Sequence, residues 1–266
     1  MYKITIVTVC YNCKGEIRKT IDSVLSQNRC LIEYVIIDGA SNDGTMDIVD
    51  EYKNHIDYII SEPDKGIYDA MNKGINIASG KYINFMNAGD TFYDNNVISR
   101  IAEEANDNSD VIFGDVAVVK DCLHYQVKAT PFYNNLPLHQ NMGFNHQCTF
   151  VRTLLAKKFP FNLRYKLAAD YDMIINLYKN KAVFQQINFI IAEFNLQGAS
   201  NIKAKQHIFE RLTVDHPERY IINKWIAEFR STKLLLLKLL KKYLMLISPL
   251  LIRKYRERKD RFIRIE

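Results

Sequence analysis

The sequence of 266 residues contains little of what marks several special classes of protein. It has one Trp, six Pro and ten Gly and no internal repeat or low-complexity segment, which excludes collagen-like and disordered chains. Its five cysteines are odd in number and scattered, unlike those of a secreted disulfide framework. Cys10 and Cys13 form a C-x-x-C pair, but no second pair follows at zinc-finger spacing. We therefore expect reduced thiols and a cytoplasmic protein.

Several recognisable motifs are also missing. Met1 to Lys3 lead at once into a strand-like run without a long apolar core, so we expect no signal peptide. The fingerprint G-x-G-x-x-G is absent, which excludes a nicotinamide dehydrogenase. The segment from Gly74 to Tyr82 resembles a P-loop, but its glycine spacing is too long and Tyr82 replaces the required Ser or Thr. We expect its two glycines to end a helix and open a strand.

The formal net charge of +6 is distributed unevenly along the chain. Residues 233–266 carry eleven Lys and Arg against three Asp and Glu, a formal charge of +8, whereas residues 1–232 carry −2. The excess of positive charge therefore belongs to the C-terminal segment. No nucleic-acid-binding motif occurs in either part, so we expect no nucleic-acid partner.

The first third of the chain alternates short apolar runs with helical patterns. Strand-like runs occupy residues 3–8, 34–37, 58–60 and 82–86, and helical patterns occupy 17–25, 47–52 and 67–78. This alternation predicts an α/β fold with a mostly parallel, Rossmann-like central sheet flanked by helices. Because no linker precedes about residue 220, we expect one domain at 1–220 and a basic helical tail at 221–266.

Polar residues follow each of the four predicted strands. The clusters are Thr8–Asn12, Asp38–Thr45, Glu62–Gly66 and Asn87–Asp90. Each cluster alone fits ordinary turns and helix caps. Ligands of parallel sheets bind beyond the carboxyl ends of the strands, so four clusters at consecutive strand ends favour a ligand site.

Two of these clusters carry a specific chemistry. The carboxylate of Asp38 can accept hydrogen bonds from a ribose or a base edge. Asp90 follows the flexible Gly89 and can give oxygen ligands to a divalent ion that leaves positions for substrate phosphates. Such an ion would neutralise a diphosphate leaving group. We therefore expect Mn²⁺ or Mg²⁺ as a cofactor, with Asp90 as its protein ligand.

Five segments, in their order and spacing, resemble the family 2 glycosyltransferases. They are Thr5–Asn12, Ile36–Thr45, Ser61–Ile75, Asn84–Asp90 and Ala168–Met173. The resemblance runs from about residue 2 to about residue 200 and is close to bacterial enzymes that build capsular, exopolysaccharide or O-antigen chains. It implies the GT-A fold and an inverting transfer from a nucleotide-sugar donor.

The resemblance also implies roles for individual residues. Those that would line the uracil and ribose pocket or lie near it are Thr8, Tyr11, Asp38, Asp64, Lys65 and Gly66. Asp69 and Asn72 match the wall of the donor pocket. Asn87 belongs to the same nucleotide-sugar site, and Asp90 matches the last acid of a D-x-D-type metal motif. Gly89 stands where the family usually has another acid.

The resemblance assigns the catalytic base to Asp170, with Asp172 as the fallback. An inverting transfer needs a carboxylate that takes the proton of the acceptor hydroxyl, and general base catalysis contributes about 10²–10⁴ in rate. Ala169 stands where the family often has Glu. The alternative is that Asp170 only caps the helix predicted at 171–178.

Two further matches are less specific. His146 is expected to touch the donor phosphates or the acceptor, and a histidine satisfied within the core is the alternative. The segment Gly198–Ser200 resembles one near the acceptor side. The Q-x-x-R-W signature of processive synthases is absent, so we expect one sugar to be transferred per encounter.

Leu234–Ile252 predicts an amphipathic helix with a cationic face. Its lysines argue against a transmembrane span. A leucine-rich face beside a cationic face is typical of helices that lie in a membrane interface. The alternative is a helix that packs on the catalytic domain or on a second subunit, so an oligomer through the C-terminal helix is also possible.

These observations predict a cytoplasmic enzyme that is peripheral at the inner face of the cytoplasmic membrane. It would transfer a sugar from UDP-hexose or UDP-N-acetylhexosamine to a saccharide or lipid-linked acceptor in surface polysaccharide synthesis. A nucleotidyltransferase would show a Gly-rich phosphate loop after the first strand, and the run TVCYN is not one. A degenerate sugar-nucleotide-binding or scaffold protein is the other alternative, suggested by Gly89 and Ala169.

Overall fold

The computed structural model describes residues 2–120, 123–129, 145–195, 204–247 and 262–265. The strands are β1 Ile4–Cys10, β2 Ile32–Asp38, β3 Tyr58–Ser61, β4 Tyr82–Phe85, β5 Thr91–Phe92, β6 Val111–Lys120, β7 Leu123–Val127, β8 Thr149–Arg152, β9 Phe184–Asn195 and β10 Phe262–Ile265. The α-helices are α1 Ile17–Leu25, α2 Thr45–Glu51, α3 Ile67–Ile77, α4 Val97–Glu104, α5 Thr153–Lys158, α6 Ala169–Lys179, α7 Ala204–Asp215 and α8 Tyr220–Ile247. The strands and helices predicted in the first third of the chain are confirmed as β1 to β4 and α1 to α3.

Four parallel strands form one half of the sheet. β1 lies between β2 and β4, and β3 pairs with the other edge of β2. Every residue of β1 and β2 is buried, as expected for parallel strands covered on both faces. Ile4 and Ile6 belong to the core that contains the apolar side of α1, whereas Val7 and Val9 pack in the core under α3.

The two glycines of the P-loop-like segment serve close packing. Gly74 lies inside α3, so the prediction that it ends a helix is wrong. A Cβ at Gly74 would lie 2.5 Å from Cγ1 of Val7, and its absence lets α3 approach β1 closely. Gly80 precedes β4 as predicted, and a Cβ there would lie 2.6 Å from the backbone nitrogen of Thr5.

The other half of the sheet is mostly antiparallel. β8 runs antiparallel to both β4 and β6, and β7 runs antiparallel to β6. β9 runs parallel to β6 and antiparallel to β5. The α/β fold is therefore confirmed, with a sheet that is mixed. β10 lies in the segment predicted as a helical tail, and it pairs antiparallel with β7, so this part of the tail is a strand.

The two halves meet at the side chain of Asn84 in β4. This residue is fully buried, and its Nδ2 donates to the carbonyl oxygens of Gln147 and Thr149 at 2.9 Å each. Buried carbonyl groups need such partners because water cannot reach them. Since β4 continues into the loop 86–90, the contact places the segment around Gln147 beside that loop.

α7 and α8 pack against each other after the sheet. The buried Asn223 of α8 donates through Nδ2 to the carbonyl oxygens of Leu212 and His216, at 3.1 and 2.8 Å. α8 begins at Tyr220, close to the predicted start of the tail. Its backbone is helical to Ile247, whereas the side chains of the predicted amphipathic helix 234–252 and the segment 198–200 lie outside the described residues. None of the described helices is both long enough and apolar enough to cross a membrane.

Replacement of Asn84 by Val should destabilise the protein. The variant removes both hydrogen bonds that Nδ2 donates to the buried carbonyl oxygens of Gln147 and Thr149, and the loss of a buried partner costs about 1–3 kcal/mol per group. We therefore expect the free energy of unfolding in urea to fall by about 2–4 kcal/mol. The control is Asn180→Ala, which removes an exposed amide hydrogen bond to the Asn176 carbonyl. Equal losses in the two variants would contradict the role of Asn84.

Candidate active site

The predicted site residues lie at the carboxyl ends of the parallel strands. Cys10 at the end of β1 stands opposite Asp38 at the end of β2. The loop that contains Asn87 and Asp90 follows β4, which is parallel to β1. Parallel strands bring their carboxyl ends to one edge of a sheet, so these clusters are brought together as predicted.

Asp38 is buried, and both of its carboxylate oxygens are used inside the protein. Oδ1 accepts a hydrogen bond from Oγ of Ser41 at 2.5 Å, and Oδ2 accepts from Oγ of Ser61 at 2.6 Å. Burial raises the pKa of the Asp38 carboxyl. These bonds and the backbone N–H of Ser41 lower it by more than burial raises it, so the pKa lies below its ordinary value. Asp38 therefore fixes the loops after β2 and β3, and its contact with the nucleotide stays a prediction.

Thr8 is also directed into the protein. It is fully buried, and its hydroxyl donates to the carbonyl oxygen of Met86 at 2.8 Å and lies 3.1 Å from the hydroxyl of Tyr34. These contacts tie β1 to the segment after β4. The predicted contact of Thr8 with the nucleotide has no support from them and stays a prediction.

Tyr11, Gly39 and Asp64 lie close together at the strand ends. The side chain of Tyr11 is 64% exposed. A Cβ at Gly39 would lie 2.5 Å from Oδ2 of Asp64 and 3.2 Å from the ring of Tyr11. The absence of that Cβ therefore leaves an exposed aromatic ring and a carboxylate side by side. An aromatic ring can stack on a planar base, and a carboxylate can accept hydrogen bonds from a base edge or from ribose hydroxyls.

The neighbouring loop is held by the start of α3. Oδ1 of Asp64 accepts a hydrogen bond from the N–H of Gly66 at 2.7 Å, and Oδ2 of Asp69 accepts from the N–H of Lys65 at 2.9 Å. Gly66 has φ of +119°, which favours glycine. Asp69 thus shapes the loop, and the side chain of Lys65 stays exposed.

Asn72 holds a wall of the pocket through the backbone of Phe161. Its Nδ2 donates to the Phe161 carbonyl at 2.8 Å, and its Oδ1 accepts from the Phe161 N–H at 2.9 Å. Phe161 and Phe85 line a small apolar hollow beside His146 and Asp170. Asn72 therefore acts on the pocket by fixing this hydrophobic wall.

Asp90 lies at the end of a tight turn that α1 holds in place. The hydroxyl of Thr20 accepts from the N–H of Gly89 at 2.9 Å and donates to the carbonyl oxygen of Asp90 at 2.8 Å. Oδ2 of Asp90 accepts from Nε2 of Gln147 at 3.0 Å. Burial raises the pKa of the Asp90 carboxyl, the nearby His146 and Gln147 lower it in part, and the net direction is upward.

Asp170 lies in the first turn of α6 and is contacted from three sides. Its Oδ2 lies 3.5 Å from Nδ1 of His146, and its Oδ1 accepts from the hydroxyl of Tyr68 at 3.1 Å. Oδ1 also accepts from the N–H of Tyr171 at 2.8 Å. The N-cap residue of α6 is Ala168. Asp170 is therefore not the N-cap residue, and two of its three contacts come from outside the helix.

His146 links the two predicted acids of the site. Its Nε2 lies 3.1 Å from Nδ2 of Asn87. With this amide as the donor, Nε2 accepts and Nδ1 carries the proton that faces Asp170. His146 thus joins the loop of Asp90 to the carboxylate of Asp170, and the described contacts favour a placement within the site over an inert core histidine.

The pair of His146 and Asp170 changes the pKa of both groups. Burial raises the pKa of the Asp170 carboxyl. The hydrogen bond and charge of His146 lower it by more than burial raises it, so the pKa lies below its ordinary value. Burial lowers the pKa of His146, whereas the hydrogen bond and charge of Asp170 raise it above its ordinary value. Asp170 is therefore ionised near neutral pH, as a general base must be.

Asp172 lies two positions further along α6 and has other neighbours. Its Oδ2 accepts from Nδ2 of Asn176 at 3.3 Å, and burial raises the pKa of its carboxyl. Two residues along a helix correspond to a rotation of about 200°. The contacts with His146 and Tyr68 therefore favour Asp170 over Asp172 as the base.

Glu210 is a positioning residue that the sequence analysis missed. It is buried in α7, and its Oε2 accepts hydrogen bonds from the N–H groups of Lys166, Leu167 and Ala168 at 2.9, 2.7 and 3.1 Å. A carboxylate that accepts three backbone donors fixes the entry to α6 and hence the position of Asp170. No local pattern connects Glu210 with residue 170, so no sequence signal could have identified it.

The residues of the turn fit a divalent ion only together with oxygen atoms of a substrate. Within the described part of the chain, no group of three or more His, Cys, Asp and Glu side chains could hold a metal. Asp90 offers a carboxylate, and the buried Oδ1 of Asn87 has no hydrogen-bond partner among the described residues. Mg²⁺ is commonly held by one or two carboxylates and completes its shell with water and phosphates. This donor set is compatible with that arrangement.

Comparisons with known proteins identify the family of this chain. The sequence model of the family described as "Glycosyl transferase family 2" matches residues 5–163. A Mycobacterium bovis protein named "PGL/p-HBAD biosynthesis glycosyltransferase" is 30% identical over 220 residues, which cover 80% of this chain and 84% of the relative. The Escherichia coli protein "UDP-Glc:alpha-D-GlcNAc-diphosphoundecaprenol beta-1,3-glucosyltransferase WfaP" is 35% identical over 102 residues, which cover 38% of this chain and 41% of WfaP.

Two solved structures share the fold. The S. aureus protein TarS 1-349 in complex with UDP-GlcNAc has a TM-score of 0.65 at 17% identity, and the match covers 80% of this chain and 65% of that chain. The mannosyltransferase PcManGT from Pyrobaculum calidifontis, in complex with GDP-Man and Mn²⁺, has a TM-score of 0.62 at 16% identity. The match covers 85% of this chain and 69% of that chain. The family match, the relatives and the GT-A fold lead to one conclusion: this chain belongs to glycosyl transferase family 2 and is a glycosyltransferase.

Proposed function

We propose that this glycosyltransferase inverts the anomeric centre of a UDP-hexose or UDP-N-acetylhexosamine as it transfers the sugar to a hydroxyl group. The acceptor would be a saccharide or a lipid-linked saccharide in surface polysaccharide synthesis. The observation that carries the proposal is that His146 contacts both Asp170 and Asn87, which belongs to the turn of Asp90. The name of WfaP, a glucosyltransferase that acts on a diphosphoundecaprenol acceptor, supports this acceptor class, and the UDP-GlcNAc complex of TarS supports the donor class.

The transfer is a single in-line displacement. The carboxylate of Asp170 takes the proton of the acceptor hydroxyl, and the acceptor oxygen forms a bond to the anomeric carbon. The bond from that carbon to the diphosphate breaks on the opposite face, so the nucleoside diphosphate leaves and the configuration inverts. A divalent ion, when bound at Asp90, would neutralise the negative charge of the leaving diphosphate.

His146 keeps Asp170 ready for this step. The proton on Nδ1 stabilises the ionised carboxylate and fixes its orientation, and the hydroxyl of Tyr68 holds the other oxygen. The apolar wall formed by Phe85, Phe161 and Met173 lies beside the pair. Surroundings of low polarity strengthen such contacts.

Asp170→Asn should abolish most of the transfer without unfolding the protein. The amide retains the size of the side chain but cannot accept the proton, so UDP release in the presence of acceptor should fall about 10²–10⁴-fold. Asp172→Asn is the matched control on the same helix and should retain most of the rate. Normal melting temperatures should accompany both results. Retention of turnover in Asp170→Asn, or its loss in Asp172→Asn alone, would contradict the assignment.

His146→Asn should shift the pH dependence of the reaction. Loss of the imidazole removes the group that lowers the pKa of Asp170, whereas burial still raises it, so the pKa of the base must rise. The acid limb of the kcat/KM profile should therefore move to higher pH. His216→Gln, which removes an imidazole that pairs with Glu218, is the control. An acid limb that stays in place with only a lower rate would show that His146 does not tune the base.

We also propose that the C-terminal region binds the cytoplasmic face of an anionic membrane. Five large hydrophobic side chains of α8 are exposed within its first three turns: Tyr220, Ile221, Ile222, Trp225 and Phe229, with Trp225 at 74% and Phe229 at 72%. Asn223 and Ala227 face the protein instead. The exposed side chains precede a segment with a charge of +8. Apolar and aromatic side chains followed by many cations match the surface of an anionic bilayer.

Replacement of both Trp225 and Phe229 by Ser should weaken membrane binding. The variant loses two aromatic side chains that would be buried in the bilayer. The partition coefficient on anionic vesicles should therefore fall about tenfold or more in flotation assays. The control is Leu154→Ser, which removes a side chain that is 75% exposed on α5. Equal flotation of all proteins, or no flotation of the wild type, would reject the proposal. A wild-type dimer that this double variant dissociates would indicate a second subunit on this face instead.

A further inference from the structure

Gly89, the residue before Asp90, has no side chain, and the carboxylate of Glu16 lies close to the space that a side chain there would occupy. Gly89 has φ of +98°, a backbone conformation in which an acidic side chain would be strained. A Cβ built at Gly89 would lie 3.5 Å from Oε2 of Glu16 and 3.8 Å from its Cδ. The carboxylate of Glu16 therefore reaches the space beside the turn from the start of α1.

Glu16 has no structural task that explains this position. It is the N-cap residue of α1, yet its side chain makes no capping hydrogen bond. The side chain is exposed, and it forms no hydrogen bond or ion pair with any of the described residues. A carboxylate that has no protein partner is available for a ligand.

α1 and the turn are fixed relative to each other. Thr20 lies one helical turn after Glu16, and its hydroxyl bonds to both Gly89 and Asp90. The start of α1, next to Glu16, is therefore held beside the turn. A divalent cation bound at the turn would attract a nearby carboxylate that has no protein partner.

We propose that Glu16 is the second carboxylate of the divalent cation site and takes the part of the acid that is missing at Gly89. This inference rests on the proposed use of a nucleotide-sugar donor with Mn²⁺ or Mg²⁺. Asp90 and Glu16 supply hard oxygen atoms, and the donor diphosphate and water complete the shell. One or two carboxylates with substrate phosphates are the usual protein contribution to such ions.

The test measures Mn²⁺ binding rather than turnover. Free Mn²⁺ is followed by electron paramagnetic resonance while the full-length protein is titrated with Mn²⁺ at saturating UDP. Glu16→Gln should weaken Mn²⁺ binding about tenfold or more. Glu16→Asp keeps the charge but shortens the side chain, so it should also weaken binding if the oxygen is a ligand. Glu103→Gln removes an exposed carboxylate elsewhere, on α4, and should bind like the wild type.

The outcomes separate this inference from the proposed function. Wild-type affinity in Glu16→Gln would overturn the role of Glu16 while the proposed function stands. Weak binding in Glu16→Gln but wild-type binding in Glu16→Asp would also overturn it, because the charge would then act at a distance. A wild-type protein that binds no UDP with Mn²⁺ would overturn both. Unchanged melting temperatures of all variants without metal exclude misfolding as the cause.

Discussion

The buried amide of Asn84 joins the two parts of this enzyme. On one side of it lie the parallel strands whose ends form the proposed donor-binding edge, and on the other lies the segment that contains His146 and Gln147. Two hydrogen bonds from one Nδ2 to the carbonyl groups of Gln147 and Thr149 add to the backbone pairing of β4 with β8. They help to fix the partners of Asp90 and Asp170 relative to the loop after β4.

The active site follows from this arrangement as a chain of polar contacts. Gln147 contacts Asp90, His146 contacts Asn87 and Asp170, and Tyr68 from α3 contacts the other oxygen of Asp170. The groups proposed to hold the metal ion and to act as the base are therefore parts of one network. A buried network in which members have partners keeps a single geometry, which an in-line displacement requires.

The sequence allowed much of the first third of the fold to be predicted because its parallel strands are short, apolar and separated by turn residues. The same reasoning located the ends of β1, β2 and β4 and pointed to Asp90, whereas Asp170 was named only through the family resemblance. It could not show that Asp38 uses both oxygens within the protein, because one of the donors is Ser61 at the end of β3, which is distant in sequence. It also missed Glu210 and the contact between Glu16 and the turn, since both come from elements distant in sequence.

Two departures from the family pattern have physical explanations in the structure. Gly89 adopts a left-handed conformation that an acidic residue would strain, and Glu16 reaches the same space from α1. Ala169 is fully buried at the start of α6, where an ionised side chain would be costly. Neither departure removes the groups that the reaction needs, so both are compatible with an active transferase.

The central claim is that Asp90 and Asp170 act on opposite sides of the same anomeric carbon. A crystal structure of the protein with Mn²⁺ and a non-hydrolysable UDP-sugar analogue tests it most directly. The account predicts that the diphosphate lies at Asp90 and that the carboxylate of Asp170 lies on the face of the anomeric carbon opposite the leaving group. A diphosphate bound away from Asp90, or Asp170 on the same face as the leaving group, would contradict it.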